Sequence, residues 1–133
     1  MRSVPVGTKG TYEFVVERND LAGTVEPSLP PVLATARMSL AMELAAISAL
    51  KPFLEPGEMT VGAVVSVTHT AATPAGWKVR AEAEVTKCDG RRIEFNVSAS
   101  DEKEPIGTGT HLRAVVDRAK FDERFAAKVK SRP

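Results

Sequence analysis

Glu43 is the residue of this chain whose surroundings most demand a chemical explanation. It is the only charge between Arg37 and Lys51, in the run TARMSLAMELAAISALK that begins at Thr35. Taking a bare carboxylate out of water is costly, so Glu43 must find a partner, protonate or face a cleft. In a cleft it is a general base or a nucleophile. Held by a buried arginine or by backbone donors, it is structural. His69 is the second candidate, since it ends a stretch in which Val61, Ala63, Val65, Val67 and His69 share one face of a strand. A lone histidine there is commonly a packed core residue, but a carboxylate on the helix which that face covers would make the two an acid–base pair. Thr35 opens the helical run, where capping alone accounts for a threonine. Its hydroxyl is also suited to holding a water or an acyl carbonyl beside the positive end of the helix. Gly62, inside a strand pattern, implies either a bulge or a close backbone approach, and in the second case its bare N–H is an oxyanion donor. Thr35 and Glu43 are eight residues apart, roughly 12 Å along a straight helix. A site using both needs a substrate that bridges them, or residues from two subunits. His111 lies opposite the apolar residues of its own strand and reads as exposed or structural.

The elements that must position these groups follow from the pattern around them. The run from Thr35 has neither glycine nor proline and no polar side, which predicts a helix buried on all faces and ending near Pro52. Before it, Thr11 to Arg18 reads as a strand, and Asn19 to Pro31 as an irregular connection broken by Gly23, Pro27, Pro30 and Pro31. After the turn at Glu55-Pro56-Gly57 the chain alternates. Thr60 to Thr70 is one strand. Trp77 to Thr86 is a second, with Trp77, Val79, Ala81, Ala83 and Val85 facing one way. Asp89-Gly90 is a hairpin signal, and Ile93, Phe95, Val97 and Ala99 mark a third strand. In the last, Ile106, Thr108, Thr110, Leu112, Ala114 and Val116 share one face, with His111 and Arg113 on the other. Phe121, Phe125 and Val129, spaced by four, predict a short amphipathic helix docked on the body. Strand, buried helix and four antiparallel strands make an α+β arrangement that a hot-dog fold satisfies best, an antiparallel sheet wrapped around one long helix. Its open edges predict edge-to-edge pairing of two copies.

Composition excludes several other classes. At 133 residues, residues 1–133 fit a single domain with a real core. A net charge of +1 makes no case for nucleic acid or an anionic membrane surface. No apolar run is long enough to span a bilayer, and MRSVPVGTKG has no secretory apolar segment. One cysteine, Cys88, and two histidines cannot make a disulfide or a convincing metal site, so no metal and no cofactor are expected. The expected location is cytoplasmic.

Thr35, Glu43 and His69, together with Gly62 and the strings VTHTAATPAG and GTGTHLRAVVD, resemble the hot-dog thioesterases of the fluoroacetyl-CoA thioesterase-like family. The resemblance runs from about Thr35 to Phe125 and keeps the DGRR hairpin and the EPG turn in register. It implies a catalytic set of Thr35, Glu43 and His69, with Gly62 and Arg113 contacting substrate and no metal. It also implies a homodimer, or a tetramer made of two such dimers, with its sites at the subunit interface. The implied activity is hydrolysis of a small acyl-CoA thioester to the free acid and coenzyme A. The alternative is a non-catalytic hot-dog module that binds an acyl-CoA or a small hydrophobic ligand. One departure stands out: the loop GTVEPSLPPVLAT lacks the phenylalanines that gate the acyl pocket in the fluoroacetyl-specific members, so the resemblance implies thioester hydrolysis and leaves the acyl selectivity open.

Overall fold

The computed structural model describes residues 1–133. In chain order it contains β1 (Lys9–Val15), a short helix α1 (Ala22–Val25), the long helix α2 (Thr35–Leu50), β2 (Glu58–His69), β3 (Lys78–Asp89), β4 (Arg92–Ser100), β5 (Pro105–Asp117) and α3 (Arg118–Lys130). The five strands form one antiparallel sheet in the order β1-β3-β4-β5-β2. The chain enters on one edge, crosses the concave face as α2 and returns on the opposite edge. This is the expected hot-dog arrangement.

Small residues decide how deeply the helix sits in the sheet. Ala41, Ala45, Ala46 and Ala49 of α2 are buried, and they face Ala81 and Ala83 of β3 and the bare backbone of Gly10 in β1. A side chain at Gly10 would run into the Ala45 carbonyl oxygen and the Ala49 nitrogen. Around this close contact Met38, Met42 and Leu50 fill the space beneath Val79, Val85, Ile93, Phe95 and Val97. The helix ends before Pro52 as expected, in a 3₁₀ turn at Lys51–Phe53. Gly57 and Gly90 both take positive φ in the two expected turns, at 82° and 61°.

Four expectations are corrected. The helix is not buried on every side: Leu40 is 44% exposed, and Glu43, Leu44 and Ile47 are only half-buried. In β2 the register shifts between Gly62 and Val64, so Ala63 is a bulge residue. Val65, Val67 and His69 keep the inner face, but before the bulge that face belongs to Thr60 and Gly62, not Val61. In β5 the inner face carries Gly107, Gly109, His111, Arg113 and Val115, the opposite parity to the one that apolar content suggests. His111 is therefore buried at 2% exposure and is no surface residue. Finally, α3 does not dock on the body. None of its residues is buried, and Phe121, Phe125 and Val129 are 42%, 61% and 60% exposed.

Candidate active site

The expected residues gather into two clusters at different heights on α2. The first lies at its start. Thr35 is the first helical residue; Ala34 occupies the cap position and no side chain caps the helix. The Thr35 hydroxyl instead lies 2.8 Å from His69 Nδ1. The other ring nitrogen, Nε2, is buried and has no hydrogen-bond partner. An imidazole held at one nitrogen and bare at the other is oriented for proton transfer at the bare one. Beside the pair opens a cavity of about 430 Å³ whose walls include Ala22, Leu29, Val32 and Ala71. An open, largely apolar hollow that Thr35 and His69 also line suits an acyl group with its carbonyl against the hydroxyl and the imidazole.

The second cluster is centred on Glu43. Its Oε1 is 3.4 Å from Arg113 Nη1, and the carboxylate side chain remains 28% exposed while the arginine is 5% exposed. Arg113 is fixed by two further bonds, Nε to the Thr60 hydroxyl and Nη2 to the Thr60 carbonyl, both 3.0 Å. His111 completes the group. Its Nδ1–H donates to the Val64 carbonyl at 2.7 Å, which leaves the Nε2 lone pair facing Arg113 Nη1 at 3.3 Å. Burial holds the His111 pKa below the ordinary histidine value; the Val64 bond works against this and the Arg113 charge adds to it. Burial likewise lowers the Arg113 pKa, opposed by the Glu43 charge. His111 is thus a neutral strut between the bulged strand and the arginine that holds Glu43.

Gly62 explains why the second cluster can exist. A Cβ at that position would lie 2.6 Å from Glu43 Oε1 and 3.3 Å from Arg113 Nη1. The carboxylate rests against bare backbone, the close approach anticipated for a glycine within a strand. No contact joins Glu43 to His69 within the chain. Glu43 meets Arg113, the partner that a structural role would have required, and His69 meets Thr35. Two members of the second cluster were not legible as such, His111 and Thr60. The usable signal was the glycines of β5. A Cβ at Gly107 would lie 2.6 Å from the Met38 sulfur, so the Gly107, Gly109, His111, Arg113 series faces the helix. Nowhere in the structure do three His, Cys, Asp or Glu side chains converge as metal ligands. No helix is long and apolar enough to cross a membrane.

Comparison with known proteins matches these features to one group. The family model for fluoroacetyl-CoA-specific thioesterase matches residues 16–119. The fluoroacetyl-CoA thioesterase of Streptantibioticus cattleyicolor is 41% identical over 129 residues, covering 92% of this chain and 93% of that protein. A threonine-to-serine mutant of the fluoroacetyl-CoA thioesterase, solved in complex with acetyl-CoA, superposes with a TM-score of 0.88 at 40% identity, covering 93% of this chain and 98% of the other. A thioesterase superfamily member from Thermus thermophilus superposes at 0.92 with 32% identity, covering 98% and 96%. On the extent of these matches and the fold they share, the chain belongs to the fluoroacetyl-CoA-specific thioesterase family and is a hot-dog thioester hydrolase.

Proposed function

We propose that the chain hydrolyses a small acyl-CoA thioester in a site built from two subunits, with Thr35 and His69 of one copy facing Glu43 and Gly62 of the other. The observation that carries this is the separation of the two clusters together with the exposed edge between them. Gly62, Ala63, Val64, Val65 and Ser66 are all exposed on β2, an open sheet edge. Pairing β2 antiparallel with a second β2 about a two-fold axis at Ser66 sets Val67 against Val65 of the partner subunit. Because Ala63 is an extra residue, His69 then falls opposite Gly62 of the partner subunit, both facing inward. The open edge of β2 supports a homodimer, and a pairing in this register would bring the two clusters together.

In that site the thioester carbonyl lies between the Thr35 hydroxyl and the Gly62 N–H, which stabilise charge on its oxygen. Glu43 either takes the proton of an attacking water, or attacks the carbonyl carbon itself to give a mixed anhydride that water hydrolyses once the thiolate has left. The C–S bond breaks, His69 supplies a proton to the departing thiolate, and the products are the carboxylic acid and free coenzyme A. Arg113 is read as the residue that positions Glu43, since it is buried and its donors are engaged. The acyl group enters the cavity lined by Leu29 and Val32. Solved structures of the fluoroacetyl enzyme carry a phenylalanine-to-alanine change six positions before the threonine altered in others. Leu29 stands six positions before Thr35. An aliphatic residue at the chamber wall favours an unfluorinated short aliphatic acyl group. This substrate, and the single half-buried thiol of Cys88, favour the cytoplasm.

Released thiol from a panel of short acyl-CoAs reads the activity, and mixing two inactive variants reads the architecture. Glu43→Gln and His69→Ala homodimers should each be inactive. Co-expressed, they should regain a fraction of parental activity, because one site of each mixed dimer keeps both groups. A mixture as inactive as its components rules out the shared site. A rapid-quench mass increase equal to the acyl group would identify Glu43 as the nucleophile.

A further inference from the structure

One buried ring joins the parts of the Glu43 cluster and yet takes no step in the hydrolysis. We propose that His111 is a positioning residue for that reaction and its acid-side switch: the neutral ring fixes both the bulge beside Gly62 and the arginine that holds Glu43, and a proton on Nε2 releases the arginine. The proposal rests on the thioesterase reading above and adds to it a residue that touches no substrate.

What the ring holds on each side is the first support. Gly62 pairs with Arg113 and Val64 with Leu112, so Ala63 has no partner on β5. His111 Nδ1–H donates at 2.7 Å to the carbonyl of Val64, the residue directly after that bulge. The side chain thus pins β2 where its ladder is interrupted, two residues from Gly62. On the other side Nε2 accepts from Arg113 Nη1 at 3.3 Å. The same Nη1 lies 3.4 Å from Glu43 Oε1, and its two hydrogens suffice for both acceptors. The flank of the ring closes the set, since a Cβ at Gly62 would lie 3.5 Å from His111 Cε1. Carboxylate, arginine and strand glycine therefore share one support.

What a proton would do there is the second support. Nε2–H would face Arg113 Nη1–H, donor against donor and cation against cation, at a position only 2% exposed. Arginine does not give up its charge, so the guanidinium must turn away. The nitrogen that turns is the one that holds Glu43. The charged groups facing the ring are Arg113 on its own strand and Glu43 on α2. From β2 come only the Val64 carbonyl and the backbone of Gly62. From β4 comes the Phe95 ring, stacked at 6.0 Å, while Glu94, with Thr86 of β3, lines the hollow of about 330 Å³ beside it. Burial lowers the ring's pKa from 6.5, with the Arg113 charge in support and the Val64 bond and Glu43 charge opposed. The switch therefore operates on the acid side of 6.5.

The test compares the parent with His111→Phe and His111→Gln, reading thiol released from a short acyl-CoA between about pH 8 and about pH 5. Phenylalanine keeps a flat ring against Phe95 but neither bond; glutamine can donate to the Val64 carbonyl and accept from Arg113. At the alkaline end kcat of His111→Phe should fall on the order of tenfold to a hundredfold, with KM little changed. His111→Gln should recover much of that loss. On acidification kcat of the parent should fall more steeply than that of His111→Gln, which has no ring to protonate. His111→Phe as fast as the parent, a change in KM alone, or acid limbs of equal steepness in the parent and His111→Gln overturns the proposal. Should His111→Phe fail to fold, the His111→Gln profile and a measurement without turnover still decide. In nitrogen-labelled parent the His111 ring should carry its proton on Nδ1 at neutral pH, and the Arg113 Nε–H and Gly62 amide signals should shift with the ring's own midpoint on acidification. Separate midpoints overturn the switch. A shared midpoint in a protein that turns over no thioester would uphold the network and sink the hydrolase reading alone.

Discussion

The two halves of the sheet cover the same helix by opposite rules. Under β3 and β4 the inner face is Val79, Ala81, Ala83, Val85, Ile93, Phe95, Val97 and Ala99, each at most 3% exposed. Under β2 and β5 only Val65, Val67 and Val115 are apolar, and the rest of the inner face is Thr60, Gly62, His69, Gly107, Gly109, His111 and Arg113. The first half is held by close packing and tolerates no polar atom. The second is held by a chain of directed bonds from Glu43 through Arg113 to His111 and the Val64 carbonyl, where each group is satisfied by the next. The difference teaches that the packed half supplies the fold's stability, which leaves the other half able to fix polar groups against an open edge. Such groups are placed to a fraction of an ångström only when a rigid body stands behind them.

That contrast can be broken at chosen points. Glu43→Gln should have the largest effect and none on the packed half: kcat should fall by about a hundredfold or more, with the thermal midpoint nearly unchanged. A comparable loss of stability would mean that Glu43 belongs to the core after all. The two glycines divide the halves next. Gly10→Ala forces a methyl onto the Ala45 carbonyl, a backbone atom that cannot yield, and should cost roughly 1–3 kcal/mol in urea unfolding. Gly62→Ala meets only side-chain atoms, chiefly the end of Glu43 and then Arg113 Nη1. It should cost less in unfolding but displace the carboxylate and lower kcat. Equal losses of stability at the two glycines would erase the distinction. Arg113→Lys keeps the charge but cannot reproduce the bonds of Nε and Nη2 to Thr60. A loss of about 1 kcal/mol is expected, together with a fall in kcat as Glu43 loses its fixed partner.

The smallest expected effect is a pH slope. The His111 pKa is lowered from 6.5, chiefly by burial. Above 6.5 the ring is neutral in both folded and unfolded chains, and its contribution is fully present. As pH falls from 6.5 towards the folded value, the unfolded chain takes a proton that the folded chain refuses, and stability is lost. Urea midpoints measured between pH 7.5 and pH 5, taken as roughly one unit either side of the reference value, should decline in the parent. The decline should be shallower in His111→Gln. An identical slope in both would remove His111 from the linkage.

Legibility followed the same division. The packed half was readable residue by residue, because β3 and β4 alternate apolar and polar positions without interruption and hydrophobicity assigns their inner faces correctly. The β2–β5 half misled for physical reasons. One bulge residue, Ala63, reverses the facing of everything before it. In β5 the inward residues are glycines, a histidine and an arginine, so apolar content points the wrong way. The face of α2 bearing Leu40 and Glu43 looked like core because its neighbours in the chain are apolar, although the fold leaves it partly uncovered. The stripe on α3 looked like a docking face, yet it stays in solvent.

From the sequence alone come the order of elements, the long apolar helix, the turns at Gly57 and Gly90, and the suspicion that Glu43, His69, Thr35 and Gly62 belong to chemistry. These are local matters of periodicity, backbone freedom and the cost of an unpaired charge, and each can be judged within a few residues. Only the tertiary structure decided which partners those groups take. It gave Glu43 to Arg113 and Gly62, gave Thr35 to His69, and turned His111 inward. Partner choice depends on strand register and on a single bulge, which bring together residues as far apart in the chain as Glu43 and Arg113. No local pattern encodes that distance, because the contact forms only once the sheet has closed over the helix.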